Sequence, residues 1–269
     1  MNRLFVFINI ALLTLFAGCA TTLPSTPLLD ATQRNDVARI EYLLNNGSDV
    51  NAFGGKNGET PLMSASRMGN FELVKLFVSK GAGVNTRGAY GDTALIAAAW
   101  TCKAEVVKYL VANGAEVNAT NTAYGSTALN IAAEKCPDEI VRFLLDNGAD
   151  VSIRNKGGCG PLISAVGNGN LITVDALIQA GSDINEQTCS GYTPLMIAAM
   201  RGHKEIVILF INKGTNLNAR NKYDETALLL AKKNKYSDIA QLLKEAGASE
   251  VSSESRPMHP FLPPPRFGK

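Results

Sequence analysis

Residues 191–216, GYTPLMIAAMRGHKEIVILFINKGTN, decide the fold. Thr193 is a helix N-cap, and Pro194 fits the first helical turn, where a missing N–H costs nothing. Ile197-Ala198-Ala199 gives that helix a small apolar face, and Gly202-His203 makes a short turn. Glu205-Ile206-Val207-Ile208-Leu209-Phe210 starts a second apolar helix. It closes on Gly214, because glycine accepts the left-handed conformation that ends a helix.

The same order recurs outward in both directions. Thr26-Pro27-Leu28, Thr60-Pro61-Leu62, Thr93-Ala94-Leu95, Thr127-Ala128-Leu129, Gly160-Pro161-Leu162 and Thr226-Ala227-Leu228 align with Thr193-Pro194-Leu195, at spacings of 34, 33, 34, 33, 33 and 33. Glycines 47, 81, 114, 148, 181, 214 and 247 close the second helices. An extended stretch such as Ala149-Asp150-Val151 and a Gly-containing turn lead to the next unit. A block of this size cannot hide its apolar face alone, so neighbours must stack in a row.

The period and the Thr-Pro-Leu-x-x-Ala signature resemble the ankyrin repeat. The resemblance covers 26–248 and implies an all-α solenoid of seven stacked helix-turn-helix units with short β-hairpin loops. The units run 26–59, 60–92, 93–126, 127–159, 160–192, 193–225 and 226–248. The His that the family carries after Leu is replaced throughout, by Leu29, Met63, Ile96, Asn130, Ile163, Met196 and Leu229. That predicts the loss of a loop-to-helix hydrogen bond. Asp30, Gln33, Arg34, Asn35 and Asp36 make the first unit a polar cap, and Lys232, Lys233, Asn234 and Lys235 the last.

Before the repeats, Arg3 precedes an apolar run from Leu4 to Phe16. This is the layout of an export signal and is too short for a comfortable membrane span. Leu15-Phe16-Ala17-Gly18-Cys19 resembles the lipobox of bacterial lipoproteins, with Phe16 where Leu is preferred. The resemblance implies cleavage of 1–18, lipidation of Cys19 and a tether over 19–25. By the sorting rule of enterobacterial lipoproteins, Ala20 points to the periplasmic side of the outer membrane. The alternative is an ordinary signal peptide with a chance cysteine. From 249 to 269 prolines 257, 260, 263, 264 and 265 exclude a helix. This is a disordered tail, or a proline-rich docking segment anchored by Phe261 and Phe267.

Besides Cys19 the chain has Cys102, Cys136, Cys159 and Cys189. Cys102 and Cys136 replace the turn glycines Gly69, Gly169 and Gly202 of other units. Cys159 and Cys189 precede the fifth and sixth Thr-Pro-Leu positions. In an oxidising compartment this predicts disulfides Cys102–Cys136 and Cys159–Cys189. Adjacent helices stand about 10 Å apart and bonded Cα atoms need less than about 7 Å, so the turns must lean together. Four free thiols are the alternative. A metal site is disfavoured because no His accompanies the cysteines.

A formal net charge of +2 with 19% charged residues gives no footprint for nucleic acid. The two histidines are His203, in a structural turn, and His259, in the tail. No Ser/His/Asp set can be assembled within the repeats around anything but His203, and no phosphate loop is present. Glu116, Asp150 and Asp183 occupy one repeating scaffold position. The expectation is therefore no catalysis, no cofactor, no small-molecule substrate and a monomer that binds another protein.

The resemblance implies that the loop tips and the ends of the first helices form the concave face. They carry Met68, Tyr90, Trp100, Tyr124, Met200 and Tyr223, with Tyr192 just before its Thr. Trp, Tyr and Arg are the residues enriched at interface hot spots, so these seven are the candidate partner-binding residues. Each ring could instead pack on its own neighbours. Arg87, Arg154 and Arg220 form a solvated scaffold row, with an acidic partner as the alternative. The function expected is a membrane-anchored, periplasm-facing interaction module. It is an immunity or inhibitor protein for an envelope-acting toxin or hydrolase, or a scaffold for a resident envelope protein, with an envelope hydrolase the remotest reading.

Overall fold

The structure, a computed structural model, describes residues 25–55 and 57–249. The signal segment, Cys19 and the tether up to residue 24 lie outside the described residues, as does the tail from residue 250.

Fourteen helices pair along the described chain: α1 Pro27–Gln33 with α2 Val37–Asn45, α3 Pro61–Met68 with α4 Phe71–Ser79, α5 Ala94–Trp100 with α6 Ala104–Ala112, α7 Ala128–Lys135 with α8 Asp138–Asp146, α9 Pro161–Asn168 with α10 Leu171–Gln179, α11 Pro194–Arg201 with α12 Lys204–Asn212, and α13 Ala227–Lys233 with α14 Ser237–Glu245. Each first helix packs on the next first helix, and from α4 onward each second helix touches the next second helix less closely. The alanines explain the difference, because Ala65, Ala98, Ala99, Ala132, Ala165, Ala198 and Ala231 are buried and let backbones approach. Closer approach on one side bends the row with the first helices inward.

The starts of the first helices follow from sequence. In six units the threonine hydroxyl accepts a hydrogen bond from the backbone N–H three residues on, as Thr193 does from Met196 at 3.3 Å and Thr127 from Asn130 at 3.1 Å. The fifth unit has Gly160 instead. Its cap comes from the following loop: Glu186 Oε1 accepts from Ile163 N–H at 3.3 Å. A Cβ on Gly160 would stand 2.6 Å from the other Glu186 oxygen. The glycine and the borrowed carboxylate therefore require one another.

The inter-helix turn is left-handed at Gly69, Gly169 and Gly202, and also at Asn35, Cys102 and Lys235. Cys136 departs, with φ −92° and ψ 161°. Pro137 follows it, and a residue before proline is pushed to extended backbone.

The expected hairpin loops are tight turns with one isolated bridge, Gly54 with Glu59. The later loops close across their base by a backbone bond, such as Asn155 N–H to Cys159 O at 3.0 Å. Loop-to-loop bonds then run down the row: Thr122 N–H to Tyr90 O (2.8 Å), Lys156 N–H to Tyr124 O (2.8 Å), Cys189 N–H to Gly157 O (3.0 Å) and Lys222 N–H to Ser190 O (3.0 Å). A second row uses asparagine side chains. Asn51, Asn85, Asn118, Asn185 and Asn218 accept from the N–H of Gly83, Glu116, Asp150, Asn216 and Ser249 at 2.8–2.9 Å. At the position between Asn118 and Asn185 stands Ser152, whose hydroxyl turns back to Asp150 at 2.6 Å. The row is interrupted there.

The loop-to-helix bond expected to be lost with the family His survives in one unit. Asn130 Nδ2 donates to Ile153 O at 3.3 Å and Cys159 O at 3.5 Å.

Candidate partner-binding face

The first helices and the loop tips together form one side of the row. Side chains on a helix lean toward its N-terminus. Trp100, at the end of α5, therefore leans back toward the tips and meets Tyr124 of the next loop, with ring centroids 6.4 Å apart and edge to face. Lys135, at the end of α7, lays its ammonium over the indole at 3.9 Å from the centroid. The position is a regular one. The equivalent residue of another unit, Thr101, donates to Arg67 O of the unit before it at 2.7 Å, and Arg201 likewise donates to Gly167 O. Lys135 differs in finding an aromatic face beneath it.

Tyr124 is 60% exposed and Tyr90 46%. Trp100 is half-buried and rests on the continuous core. Tyr90 is tied to the Tyr124 loop through its carbonyl, which accepts from Thr122 and Ala123. Met68, 41% exposed, lies on the side of the first units, and half-buried Met200 with exposed Tyr223 on the side of the last. The structure thus joins Trp100, Tyr124 and Lys135 in direct contact, with Tyr90 one backbone bond away.

Tyr192 is a correction. It is 7% exposed and belongs to the core. Its place immediately before Thr193 is the base of the loop, not the tip. Its hydroxyl donates to Glu225 Oε2 at 3.4 Å, and burial followed by that carboxylate pushes the phenol up to about 12.

The second expected disulfide is also a correction. Cys102 and Cys136 are joined with Cα atoms 5.3 Å apart, because the two turns lean together. Cys159 and Cys189 are free thiols, half-buried and exposed respectively. Each sulfur faces a different carbonyl of one loop: Cys159 that of Gly157 at 3.8 Å, Cys189 that of Lys156 at 3.6 Å. Burial, with Glu186 next in weight, pushes the Cys159 thiol up to about 11.

Charge on this side is uneven. Glu59 pairs with Arg67 at 2.5 Å, Glu225 with Lys233 at 2.7 Å and Glu186 with Arg154 at 3.7 Å. Burial pushes the Glu186 carboxyl up to about 7, against the opposing pull of Arg154. Among the described residues, Lys135 and Lys156 enter no ion pair with a carboxylate. Lys156 Nζ donates instead to the Thr122 carbonyl at 2.6 Å. Burial holds the Lys135 ammonium below the usual lysine range, with Glu134 pulling the other way. Sequence reading counts Lys135 among the variable ends of the first helices but gives it no role, and it does not single out Lys156. The available signal was that Lys135 sits one unit on from Trp100, at the position that covers the preceding helix end.

The arginine row is scaffold: Arg87 donates to Thr120 O at 2.9 Å, Arg154 to Gln187 O at 3.2 Å, and Arg220 pairs with Asp224 at 2.8 Å. The His203 ring covers Gly169, where a Cβ would meet it at 2.6 Å. Among the described residues no cluster of His, Cys, Asp and Glu is placed to hold a metal, and no helix is long and apolar enough to cross a membrane.

Curated proteins match short stretches. The mouse (Mus musculus) 2-5A-dependent ribonuclease is 40% identical over 60 residues, 22% of this chain and 8% of that protein. An ankyrin repeat and KH domain-containing protein of Caenorhabditis briggsae is 37% identical over 57 residues, 21% of this chain and 2% of that protein. The chain thus spans a small fraction of the length of either relative. The family described as Ankyrin repeats (3 copies) matches residues 8–88, 28–121, 83–155 and 162–254. With that coverage, and with paired helices stacked in a row, the chain belongs to the ankyrin repeat family, whose members are generally non-catalytic protein-interaction modules.

Proposed function

We propose that this chain is a lipid-anchored module of the bacterial envelope, facing the periplasm, that binds one protein partner on the side carrying Trp100 and Tyr124. The observation that carries the binding face is the contact set Trp100–Tyr124–Lys135 beside exposed Tyr90. Large rings at a solvent boundary bury much area at little entropic cost, which is the composition of interface hot spots. The anchor rests on Leu15-Phe16-Ala17-Gly18-Cys19 and the apolar run before it. Acyl chains hold a protein to a membrane by about 0.8 kcal/mol per buried CH₂.

An immunity or inhibitor role is the preferred version, because a preformed rigid face suits the occlusion of an active site. The scaffold role uses the same face. The test is affinity capture from envelope extracts with oxidised wild-type chain and with Trp100→Ala, followed by reconstitution with the purified protein recovered. A partner lost on Trp100→Ala and rebound in reconstitution supports the reading. Equal capture by both chains overturns it. Inhibition of an enzymatic activity of that partner selects the immunity version. Radiolabelled palmitate incorporated by wild type but not by Cys19→Ser tests the anchor.

A further inference from the structure

Trp100 and Tyr124 present an apolar surface bordered by two cations. Lys135 lies on the indole at 3.9 Å. Lys156 adjoins Tyr124, whose carbonyl accepts its backbone N–H at 2.8 Å. The neighbouring carboxylates are engaged: Glu59 with Arg67, Glu186 with Arg154, and Asp92 accepting from Asn121 at 3.0 Å. Glu134, exposed beside Lys135, is the acidic group left in this stretch, acting on the Lys135 ammonium without an ion pair at contact distance. An ammonium has three donors. Over the Trp100 ring, Lys135 spends none of them on a carboxylate, and Lys156 gives one to a neutral carbonyl.

We infer that the partner's docking segment is acidic, placing an apolar side chain against Trp100 and Tyr124 and carboxylates against Lys135 and Lys156. This deepens the proposed function and rests on its binding face. A carboxylate arriving there exchanges a partly solvated cation for a charge-assisted hydrogen bond, the stronger class. The ring contact stays, because the ammonium can serve both the indole face below it and an oxygen above it. Cations beside the aromatic surface also speed the approach of an acidic segment and repel a basic one.

Trp100 is the single tryptophan of the chain, so its emission reports on this spot directly. The probes are three synthetic peptides of one apolar pattern, Phe or Leu at every third position, with all intervening residues Glu, Gln or Lys. They are titrated into the full folded chain in low salt, and again in salt about tenfold higher. The expected result is a change in Trp100 emission with the Glu peptide. Its affinity falls at least tenfold in high salt and at least tenfold in the double variant Lys135→Gln, Lys156→Gln. The Gln peptide binds at least tenfold more weakly, and the Lys peptide leaves the emission unmoved. Circular dichroism of the double variant must match wild type.

Equal affinity for the Glu and Gln peptides overturns the acidic-segment inference and leaves the binding face standing. So does silence with all three peptides in a chain whose captured partner still depends on Trp100. Glu-peptide binding that persists unchanged in Trp100→Ala, followed by anisotropy of a labelled peptide, overturns the face itself.

Discussion

The Lys135 ammonium stands 3.9 Å from the centroid of the Trp100 ring, and that ring also meets Tyr124. A cation over an indole contributes about 0.5–2 kcal/mol, depending on its exposure. Lys135→Gln is therefore expected to lower stability by about 1 kcal/mol or less and to shift Trp100 emission. Trp100→Ala removes a half-buried ring that also rests on the core, and should cost about 1–3 kcal/mol. Urea unfolding of both variants checks this. Equal stability of wild type and Trp100→Ala would mean that the ring packs on nothing.

Ser152 breaks the asparagine row at the junction of the fourth and fifth units. Ser152→Asn is expected to supply the missing acceptor to the next loop and to raise stability by about 0.5–1.5 kcal/mol, the usual net worth of one hydrogen bond. Thermal unfolding would show this as a higher midpoint. A lower midpoint would mean that the Ser152–Asp150 bond is the better use of the site.

Glu186 supplies a measurable pH dependence. Its carboxyl is raised to about 7 in the folded chain from an ordinary 4.5, chiefly by burial. The folded state then holds the proton more tightly than the unfolded state, so this group makes stability fall as pH rises from about 4.5 to about 7. Below that window the penalty is absent, and above it the penalty is constant. Glu186→Gln keeps a carbonyl for Ile163 N–H without the buried charge. It should flatten the slope of melting temperature against pH in the window and gain most above pH 7. An unchanged slope would place the titration elsewhere. Gly160→Thr restores the threonine of the other units yet should destabilise, because its Cβ arrives 2.6 Å from the Glu186 carboxylate. Adding Glu186→Ala should recover part of that loss.

The cysteines should separate in reactivity. With Cys102–Cys136 closed, native chain treated with iodoacetamide is expected to be labelled first at exposed Cys189 and far more slowly at Cys159, whose thiol is half-buried and raised to about 11. Peptide mass mapping reads the order. Replacing both Cys102 and Cys136 with Ala should cost about 2–4 kcal/mol, the usual effect of opening a bridge of this span.

The solenoid was legible because its cause is periodic. Thr193 and its equivalents, the Ala face and the closing glycines repeat at one spacing, and each has a local physical meaning. The turn cysteines could be read as a pair for the same reason, since Cys102 and Cys136 occupy one repeat position. What the period hid were the exceptions. Glu186 serves a helix start that lies 26 residues before it, at Gly160, and no local rule links a glycine to a carboxylate in the next loop. Tyr192 and Tyr223 differ by two places relative to their threonines, which separates a loop base from a loop tip. Lys135 gains its role from Trp100 in the preceding unit, so its meaning lies between units rather than within one.

The interrupted asparagine row has a mechanical consequence. Units joined end to end carry a pull in series, so each missing cross-link makes its own join more compliant. At the Ser152 junction the outer loops lack the bond that the other junctions have, whereas Cys102–Cys136 locks the third unit covalently to the fourth. That junction keeps the bond from Cys189 N–H to Gly157 O and the contacts of Arg154 with Gln187 O and Glu186, so the gap in the asparagine row softens the join without freeing it. A guest seated across that junction would act as a splint.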